Sequence, residues 1–236
     1  MKLNRFLPLA LLACVSALAS SSASAALVTW DLNPGNLNGN VGSASQVYTV
    51  SGHSITAFGY DKASSGSDVT HQLFFKSGGP IGGGSEHGLG LVGTLDNELQ
   101  VNANGTPANY IQLDLRSILS QGFTGGQIEV GSIQTGESFR LFGSNAQGTL
   151  GTQLTGTWGS IFDEQFVSIP NFGSFQFISI ASNAADVLPI AFRASITPVP
   201  EMNALFPLVG LIAAVGSTHL LRRRRMARVA ATITTR

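Results

Sequence analysis

Carboxylates are the first candidates for chemistry in this sequence. Asp96 and Glu98 lie two residues apart in the stretch TLDNELQ, so on a strand their side chains would project from the same face. Calcium binds about six to eight oxygens in proteins, and two acids at the start of a strand could join backbone carbonyls around such an ion. We nevertheless expect plainly solvated acids and no resident cofactor, with calcium at Asp96 and Glu98 as the alternative.

Paired carboxylates also hydrolyse glycosidic bonds when they face each other across a cleft. Asp163 and Glu164, or Asp96 and Glu98, could take that role, but the sequence singles out neither pair. The G-x-S-x-G turn that exposes a nucleophilic serine in many hydrolases is absent from the sequence. We therefore expect no catalytic residues and predict that the protein is not an enzyme.

Three histidines, His53, His71 and His87, are with Glu86 the only plausible ligands for a transition metal. Their spacing places no two imidazoles on one helix face, and no thiol lies nearby to join them. The glycine-rich stretch Gly78–Ser85 lacks the lysine and the following helix of a phosphate-binding loop. We expect solvated histidines and an inter-strand loop.

Aromatic side chains could bind sugars by stacking if their faces were exposed. The candidates are Trp30, Trp158, Tyr48, Tyr60 and Tyr110. The alternative is that such residues fill the hydrophobic core, which we expect for Trp30 and for most of the 14 phenylalanines.

The formal net charge of zero is the sum of an acidic region and a basic region of the chain. Between Ala26 and Glu201 there are five basic and thirteen acidic residues, whereas the segment after Glu201 has six arginines and no acid. An acidic domain is repelled by phosphate backbones, so we expect no nucleic-acid partner. Cys14 is the only cysteine. If it is removed with a leader, the mature chain holds neither a disulfide nor a thiolate metal site.

The elements that must position these residues read as short strands. In NYIQLDLR, Ile111, Leu113 and Leu115 alternate with polar residues, and SFRLFGS and GSFQFISIAS have a similar period of two. Further predicted strands are Leu27–Asp31, Gln46–Val50, Ser54–Tyr60, His71–Lys76, Glu98–Val101, Gln127–Ile133, Gln165–Ile169 and Val187–Ile196. Glycine-rich turns separate most of them. The pattern predicts an all-β domain over residues 26–196, an antiparallel β-sandwich that is jelly-roll-like.

Residues 1–25 have the composition of a secretory signal peptide. Its parts are Lys2 and Arg5 in a basic region, an apolar core over residues 6–19, and the small residues Ala23 and Ala25 at the cleavage site. Signal peptidase would leave Ala26 as the first residue of the mature chain. The alternative is that LLAC, which ends at Cys14, resembles a lipoprotein box and carries a lipid.

The C-terminal segment, residues 197–236, contains a predicted transmembrane helix over residues 203–221. This stretch has no formal charge, and as a helix it would span about 28 Å, close to the thickness of a bilayer core. Arg222, Arg223, Arg224 and Arg225 follow directly. Arginines that flank a span stay on the cytoplasmic side, so we expect the domain to lie outside the membrane.

Val199, Pro200 and Glu201, the apolar stretch and the arginine cluster occur together in this order. This segment resembles the PEP-CTERM sorting signal of exported bacterial proteins. The resemblance implies processing by an exosortase, transient anchoring in the inner membrane and delivery to the cell envelope or the extracellular matrix of a biofilm. It concerns the tail alone and implies nothing about residues 26–196.

These features favour an exported, non-enzymatic β-sandwich protein with a structural or adhesive role, which could contact polysaccharide. Two alternatives stay open: a secreted glycan hydrolase, and a carbohydrate-binding module whose sandwich is stabilised by calcium. A cleft with facing carboxylates about 5–10 Å apart would favour the hydrolase. Adjacent exposed aromatic rings would favour the binding module.

Overall fold

The computed structural model describes most of the predicted domain and a small part of the tail. The described residues are 26–78, 86–154, 156–196, 211, 212, 214–219 and 222. The chain divides into two units, Ala25–Thr197 on the one hand and Met1–Ser24 with Pro198–Arg236 on the other. The predicted signal peptide with Ala23 and Ala25, the motif at residues 199–201 and Arg223–Arg225 lie outside the described residues.

The described tail residues 211, 212, 214–219 and 222 are helical. None of the helices in the described part of the chain is long and apolar enough to cross a membrane. Most of the transmembrane helix predicted over residues 203–221 falls outside that part, and the helix stays a prediction.

Short strands dominate the larger unit, as the alternating pattern predicts. They are β1 (Ala26–Asp31), β2 (Gly39–Asn40), β3 (Ser45–Val50), β4 (His53–Asp61), β5 (Val69–Thr70), β6 (Leu73–Ser77), β7 (His87–Leu91), β8 (Asn109–Asp114), β9 (Phe123–Gly131), β10 (Ser138–Ser144), β11 (Thr152–Gln153), β12 (Trp158–Gly159), β13 (Gln165–Ser168), β14 (Phe177–Ala184) and β15 (Leu188–Ile196). Among the described residues of this unit, helical structure is confined to α1 (Arg116–Ser120) and the 3-10 turns Leu95–Asn97 and Ser160–Phe162.

The strands form three sheets with antiparallel pairings. One sheet has the order β1-β15-β9-β13, and a larger one has the order β11-β10-β14-β8-β4-β3, with β12 beside β10 and β5 beside β4. A small sheet has the order β2-β6-β7. The prediction of an all-β, sandwich-like fold is confirmed at this level.

The two larger sheets share one hydrophobic core. Trp30 of β1 and Phe192 of β15 contribute to it from the first sheet, and Ile55 of β4 and Ile180 of β14 contribute from the second. Burying such a side chain contributes about 1.5–3 kcal/mol. The Trp30 indole is fully buried, and its Nε1 donates to the carbonyl of His53 at 3.0 Å, which joins the sheets.

The aromatic candidates for sugar stacking belong to this interior. Trp30, Tyr48, Tyr60 and Tyr110 are buried. Trp158 is half-buried, and its ring stacks on Phe139 with the centroids 5.3 Å apart. The four buried rings present no open face for stacking on a sugar, and Phe139 covers one face of Trp158.

The two ends of the domain lie side by side. Strands β1 and β15 pair from Ala26 opposite Ile196 to Asp31 opposite Ala191. The first described residue of the domain is therefore the direct neighbour of the last residue of its final strand.

Candidate functional site

The most unusual side chain of the domain is a buried lysine on β6. Lys76 is 2% exposed. Its Nζ donates to Asp96 Oδ2 at 2.7 Å, to Glu86 Oε2 at 2.8 Å, and to Glu98 Oε1. An ammonium has three hydrogens to donate, and here each is directed at a carboxylate. We call Lys76, Glu86, Asp96 and Glu98 the lysine cluster.

A glycine allows the turn that carries Asp96 to approach the small sheet. A Cβ at Gly90 of β7 would lie 1.7 Å from the carbonyl oxygen of Asn97, so only glycine permits this contact. Asp96 and Asn97 both have left-handed backbone conformations, with φ of 53° and 58°. The tight turn pressed against β7 directs the Asp96 carboxylate to the lysine.

Glu98 is fixed by a short bridge to the start of β15. The backbone N–H of Leu99 donates to the carbonyl of Val187 at 3.0 Å, and Val187 N–H donates back to Leu99 at 3.2 Å. The Glu98 side chain is 2% exposed, and Ser132 Oγ donates to its Oε1 at 3.2 Å. Glu98 is therefore the most enclosed carboxylate of the cluster.

Burial and ion pairing act against each other in the lysine cluster. Burial raises the pKa of Glu98 to about 7, although the hydrogen bond from Lys76 opposes this shift. Burial alone would lower the pKa of Lys76, but the hydrogen bonds to Asp96, Glu86 and Glu98 outweigh it and raise that pKa. The same lysine lowers the pKa of Glu86 against the effect of burial. The raised pKa of Glu98 brings the protonation of this buried carboxylate towards neutral pH.

Two carboxylate oxygens of the lysine cluster have no hydrogen-bond partner. Asp96 Oδ1 and Glu98 Oε2 are both buried, and buried polar atoms are nearly always paired in proteins. Beside the cluster opens a surface cavity of about 340 Å³, whose lining includes Lys76, Asp96, Phe74 and Asn38. The unpaired oxygens mark places where a proton, a water or a ligand atom would be accommodated.

Further acids surround the lysine cluster. Burial raises the pKa of Asp186, and the neighbouring Asp96 and Glu86 add to the shift. Burial likewise raises the pKa of Glu137, with contributions from Asp186 and Glu86. One ammonium thus lies among several carboxyl groups, and the region is strongly acidic.

The structure brings Asp96 and Glu98 together, as the calcium alternative requires. With Glu86 they place carboxylate oxygens within 4.8 Å of one another, in the one group of three or more potential metal ligands found in the described ranges. The Lys76 ammonium already contacts all three carboxylates, so an ion would have to displace it. Calcium at Asp96 and Glu98 stays an untested alternative.

The histidines are held in separate hydrogen bonds. His53 Nδ1 pairs with Gln121 Oε1. His71 lies between Asp61 Oδ1, 2.7 Å from its Nδ1, and the carbonyl of Val92, 2.6 Å from its Nε2. These two rings therefore have local structural partners.

Of the acidic pair Asp163 and Glu164, the aspartate has a structural role. Asp163 Oδ1 accepts the backbone N–H of Ile133 at 3.0 Å. Glu164 is exposed and follows with a left-handed φ of 51°, in the turn before β13. This arrangement indicates a turn rather than one wall of a cleft.

A second feature is a row of polar side chains across the outer face of the four-stranded sheet. Thr29, Arg193, Gln127 and Ser168 are in register across β1, β15, β9 and β13. Arg193 Nε donates to Gln127 Oε1 at 2.6 Å, and Gln127 Nε2 donates to Ser168 Oγ at 3.3 Å. The guanidinium lies 3.8 Å from the centroid of the Phe166 ring. We call Thr29, Arg193, Gln127 and Ser168 the polar row.

A shallow cavity of about 360 Å³ adjoins the polar row, with Leu27, Thr124, Gly125 and Ser195 in its lining. A Cβ at Gly125 would lie 2.8 Å from Ser195 Oγ. The absence of a side chain at Gly125 therefore keeps the floor of this cavity open.

Comparison with known proteins adds no assignment to this geometry. No family model, no curated protein and no solved structure matches the chain.

Proposed function

We propose that this chain is an exported, non-enzymatic protein of the cell envelope or extracellular matrix, with a structural or adhesive sandwich domain. A signal peptide over residues 1–25 would direct export, and the tail over residues 197–236 would anchor the protein until an exosortase processes it. The proposal takes its sorting step from the order of Val199-Pro200-Glu201, the apolar stretch and Arg222–Arg225 in the sequence.

The pairing of Ala26 with Ile196 is the observation that carries the proposal. Signal peptidase would cut just before Ala26, and exosortase would cut beyond Ile196. Both cuts would fall outside paired strands, so the sandwich would keep β1 and β15 intact. Both junctions also lie at one end of the sandwich, which suits a domain that meets the membrane surface twice during export.

The proposal includes a jelly roll as the finer description of the sandwich. A jelly roll has eight strands in two packed sheets of four. Within each sheet, strands from the first half of the chain pair with strands from the second half. The pairs β1–β15, β8–β14, β9–β13 and β10–β11 support this arrangement, because they nest in sequence and alternate between the two larger sheets. Strands β2 to β7 would then be an insertion between the first two jelly-roll strands.

The polar row is where we propose contact with polysaccharide. Sugar hydroxyls bind to paired donors and acceptors, and the polar row offers a guanidinium, an amide and hydroxyl groups in one line. The open cavity beside the row would accommodate part of an extended chain. Stacking on tryptophan or tyrosine would contribute little, since those rings are buried or half-buried.

The alternative of a glycan hydrolase has less support. The acid and the base of a glycosidase flank the sugar, with their carboxyl groups about 5–10 Å apart. In the lysine cluster the carboxylate oxygens lie within 4.8 Å of one another, and Lys76 binds all three groups. A calcium-stabilised carbohydrate-binding module would also contact polysaccharide, and it differs from our proposal mainly by requiring a bound calcium ion.

Localisation of sorting variants in the producing bacterium tests the proposal. We expect the native protein to be released from the membrane fraction, and the double variant Pro200→Ala, Glu201→Ala to remain there with its tail. Arg228→Ala, which changes a basic residue beyond the predicted cluster, is the control and should be released normally. Equal release of the native protein and the double variant would contradict the role of the motif.

A further inference from the structure

We propose that Lys76 and Asp96 become joined by an intramolecular amide bond, with Glu98 as the group that carries the protons. The modification would turn the ion pair of the lysine cluster into a covalent link between β6 and the turn at Leu95–Asn97. It is independent of the sorting proposal, because it depends only on the interior of the domain.

The two reacting groups are already in contact. Lys76 Nζ lies 2.7 Å from Asp96 Oδ2, which places the carboxyl carbon of Asp96 close to the nitrogen. Asn33 Nδ2 donates to the carbonyl of Lys76 at 2.6 Å and fixes the lysine backbone. Holding two reactants in this way replaces a bimolecular collision and supplies a large part of the barrier reduction.

Glu98 meets the requirements for a proton carrier. It is 2% exposed, and its Oε1 contacts Lys76 Nζ directly. Its Oε2 is buried without a partner, so a proton there displaces no existing hydrogen bond.

The reaction balances without any co-reactant. The Lys76 ammonium gives one proton to Glu98 and becomes a nucleophilic amine. Its nitrogen attacks Cγ of Asp96, the N–C bond forms, and one C–O bond of the carboxyl group breaks. That oxygen leaves as water with the proton returned by Glu98 and a second hydrogen from the nitrogen. No oxidation occurs, and the cavity beside Asp96 gives the water a way out.

Asp96 is a better electrophile than Glu86, the other carboxylate outside the proton-carrying role. Asp96 Oδ1 is buried and unpaired, so converting the carboxylate to an amide carbonyl removes a charge from a poorly solvated position. The left-handed turn and the Gly90 contact also restrain Asp96 against the lysine.

A covalent link would supply what this domain lacks. The predicted mature chain has no cysteine and therefore no disulfide to restrain it outside the cell. A cross-link between residues 76 and 96 closes a loop and reduces the freedom of the unfolded chain, as a disulfide does.

A tryptic digest of the full-length chain tests the proposal directly. Lys76 is the only basic residue between Lys62 and Arg116, so an unmodified chain gives the peptides 63–76 and 77–116. We expect instead a single peptide, 63–116, lighter than its linear mass by one water and uncut at Lys76. A second digestion with an enzyme that cuts after glutamate would then yield two peptides joined through Lys76 and Asp96.

Variants separate the roles of the residues. Asp96→Ala should lose the cross-link completely, and Glu98→Gln should reduce it at least tenfold while the circular dichroism spectrum shows a folded domain. Lys62→Met is the matched control, because Lys62 pairs with Asp68 at 2.8 Å with its side chain 36% exposed, and it should leave the link between residues 76 and 96 intact.

Complete cleavage at Lys76 in the folded native chain, with no peptide lighter by one water, would overturn the proposal. A link from Lys76 to Glu86 or Glu98 would also overturn it as stated, because Asp96 would not be the electrophile.

Discussion

Ala26 and Ile196 are Cα partners in adjacent antiparallel strands, the first and the last of the domain. Each residue borders a segment for which the sequence predicts removal during export. Their pairing joins the first and last strands of the described domain within one sheet. In our proposal, the domain is delivered whole and both flanking segments are cut away.

Gly90→Ala should destabilise the domain by about 1–3 kcal/mol, as overpacking of a tight contact typically does. The new methyl group would lie 1.7 Å from the carbonyl oxygen of Asn97, so the turn that bears Asp96 would have to move. Urea denaturation measures the effect. Gly159→Ala is the control, since its Cβ would lie 3.6 Å from the nearest atom. Equal stability of the two variants would contradict the role of Gly90.

Asp68→Asn should remove a contribution to the free energy of unfolding that the native protein loses at low pH. Burial would raise the pKa of Asp68, but hydrogen bonds from Lys62 and Tyr110 outweigh it and lower the pKa below the ordinary value of 3.8. A lowered pKa contributes stability that is present above the ordinary pKa and lost as the pH falls through the folded-state value.

We therefore expect Asp68→Asn to cost about 1–3 kcal/mol at pH 7 and progressively less below about pH 4. Unfolding free energies measured from pH 2 to 7 check this. A difference between native and variant protein that is the same at every pH would contradict the assigned cause.

A calcium chelator should shift the Tm of the protein by less than about 1 °C. Lys76 contacts the carboxyl groups of Glu86, Asp96 and Glu98, and the proposed amide with Asp96 would keep the cluster together, so no ion is needed. A thermal scan with excess calcium or with chelator measures this. Stabilisation by about 5–10 °C at a calcium concentration 100 times its Kd would instead support a calcium site.

Arg193→Ala should weaken binding to extracellular polysaccharide extracted from the producing organism by at least about tenfold, the effect of losing a hydrogen bond from a charged group. Arg193 of the polar row donates to Gln127, and its guanidinium lies over the Phe166 ring. Arg140→Ala is the matched control, because Arg140 lies on β10 of the other sheet and bonds Asn183. Equal loss in both variants, or in neither, would contradict binding at this face.

The strands were predictable from the sequence where one face of a strand packs on the core. The alternating pattern places a strand over Ser54–Tyr60, and β4 runs from His53 to Asp61. Val187–Ile196 similarly matches β15. In β4, buried and less buried positions alternate along much of the strand, because the side-chain period of a strand is two residues. In β15 the first five residues are all buried.

The alternating pattern predicted strands that are longer than the observed ones at two places, where strand pairing stops. Residues Glu98–Val101 were predicted as a strand, but Leu99 and Val101 form only isolated bridges, to Val187 and Pro107. In GSFQFISIAS the strand begins only at Phe177. Phe175 instead covers Gly143, where a Cβ would lie 2.4 Å from its ring.

The lysine cluster could be predicted only in part. Asp96 and Glu98 were identified by their spacing, but their neighbours Lys76 and Glu86 are distant in sequence and converge through the β6–β7 pairing. Lys76 carried one signal, since it is a charged residue directly after Phe74 and Phe75 in a predicted strand. A lysine in such a position needs a buried counter-charge, and the sequence alone did not indicate which acids supply it.

The intact mass of the protein recovered from cells and medium tests the central claim most directly. The account predicts a chain that begins at Ala26 and ends near Glu201, with any attached group visible as added mass. A chain that keeps residues 1–25, or a released chain that keeps its arginine-rich end, would contradict it.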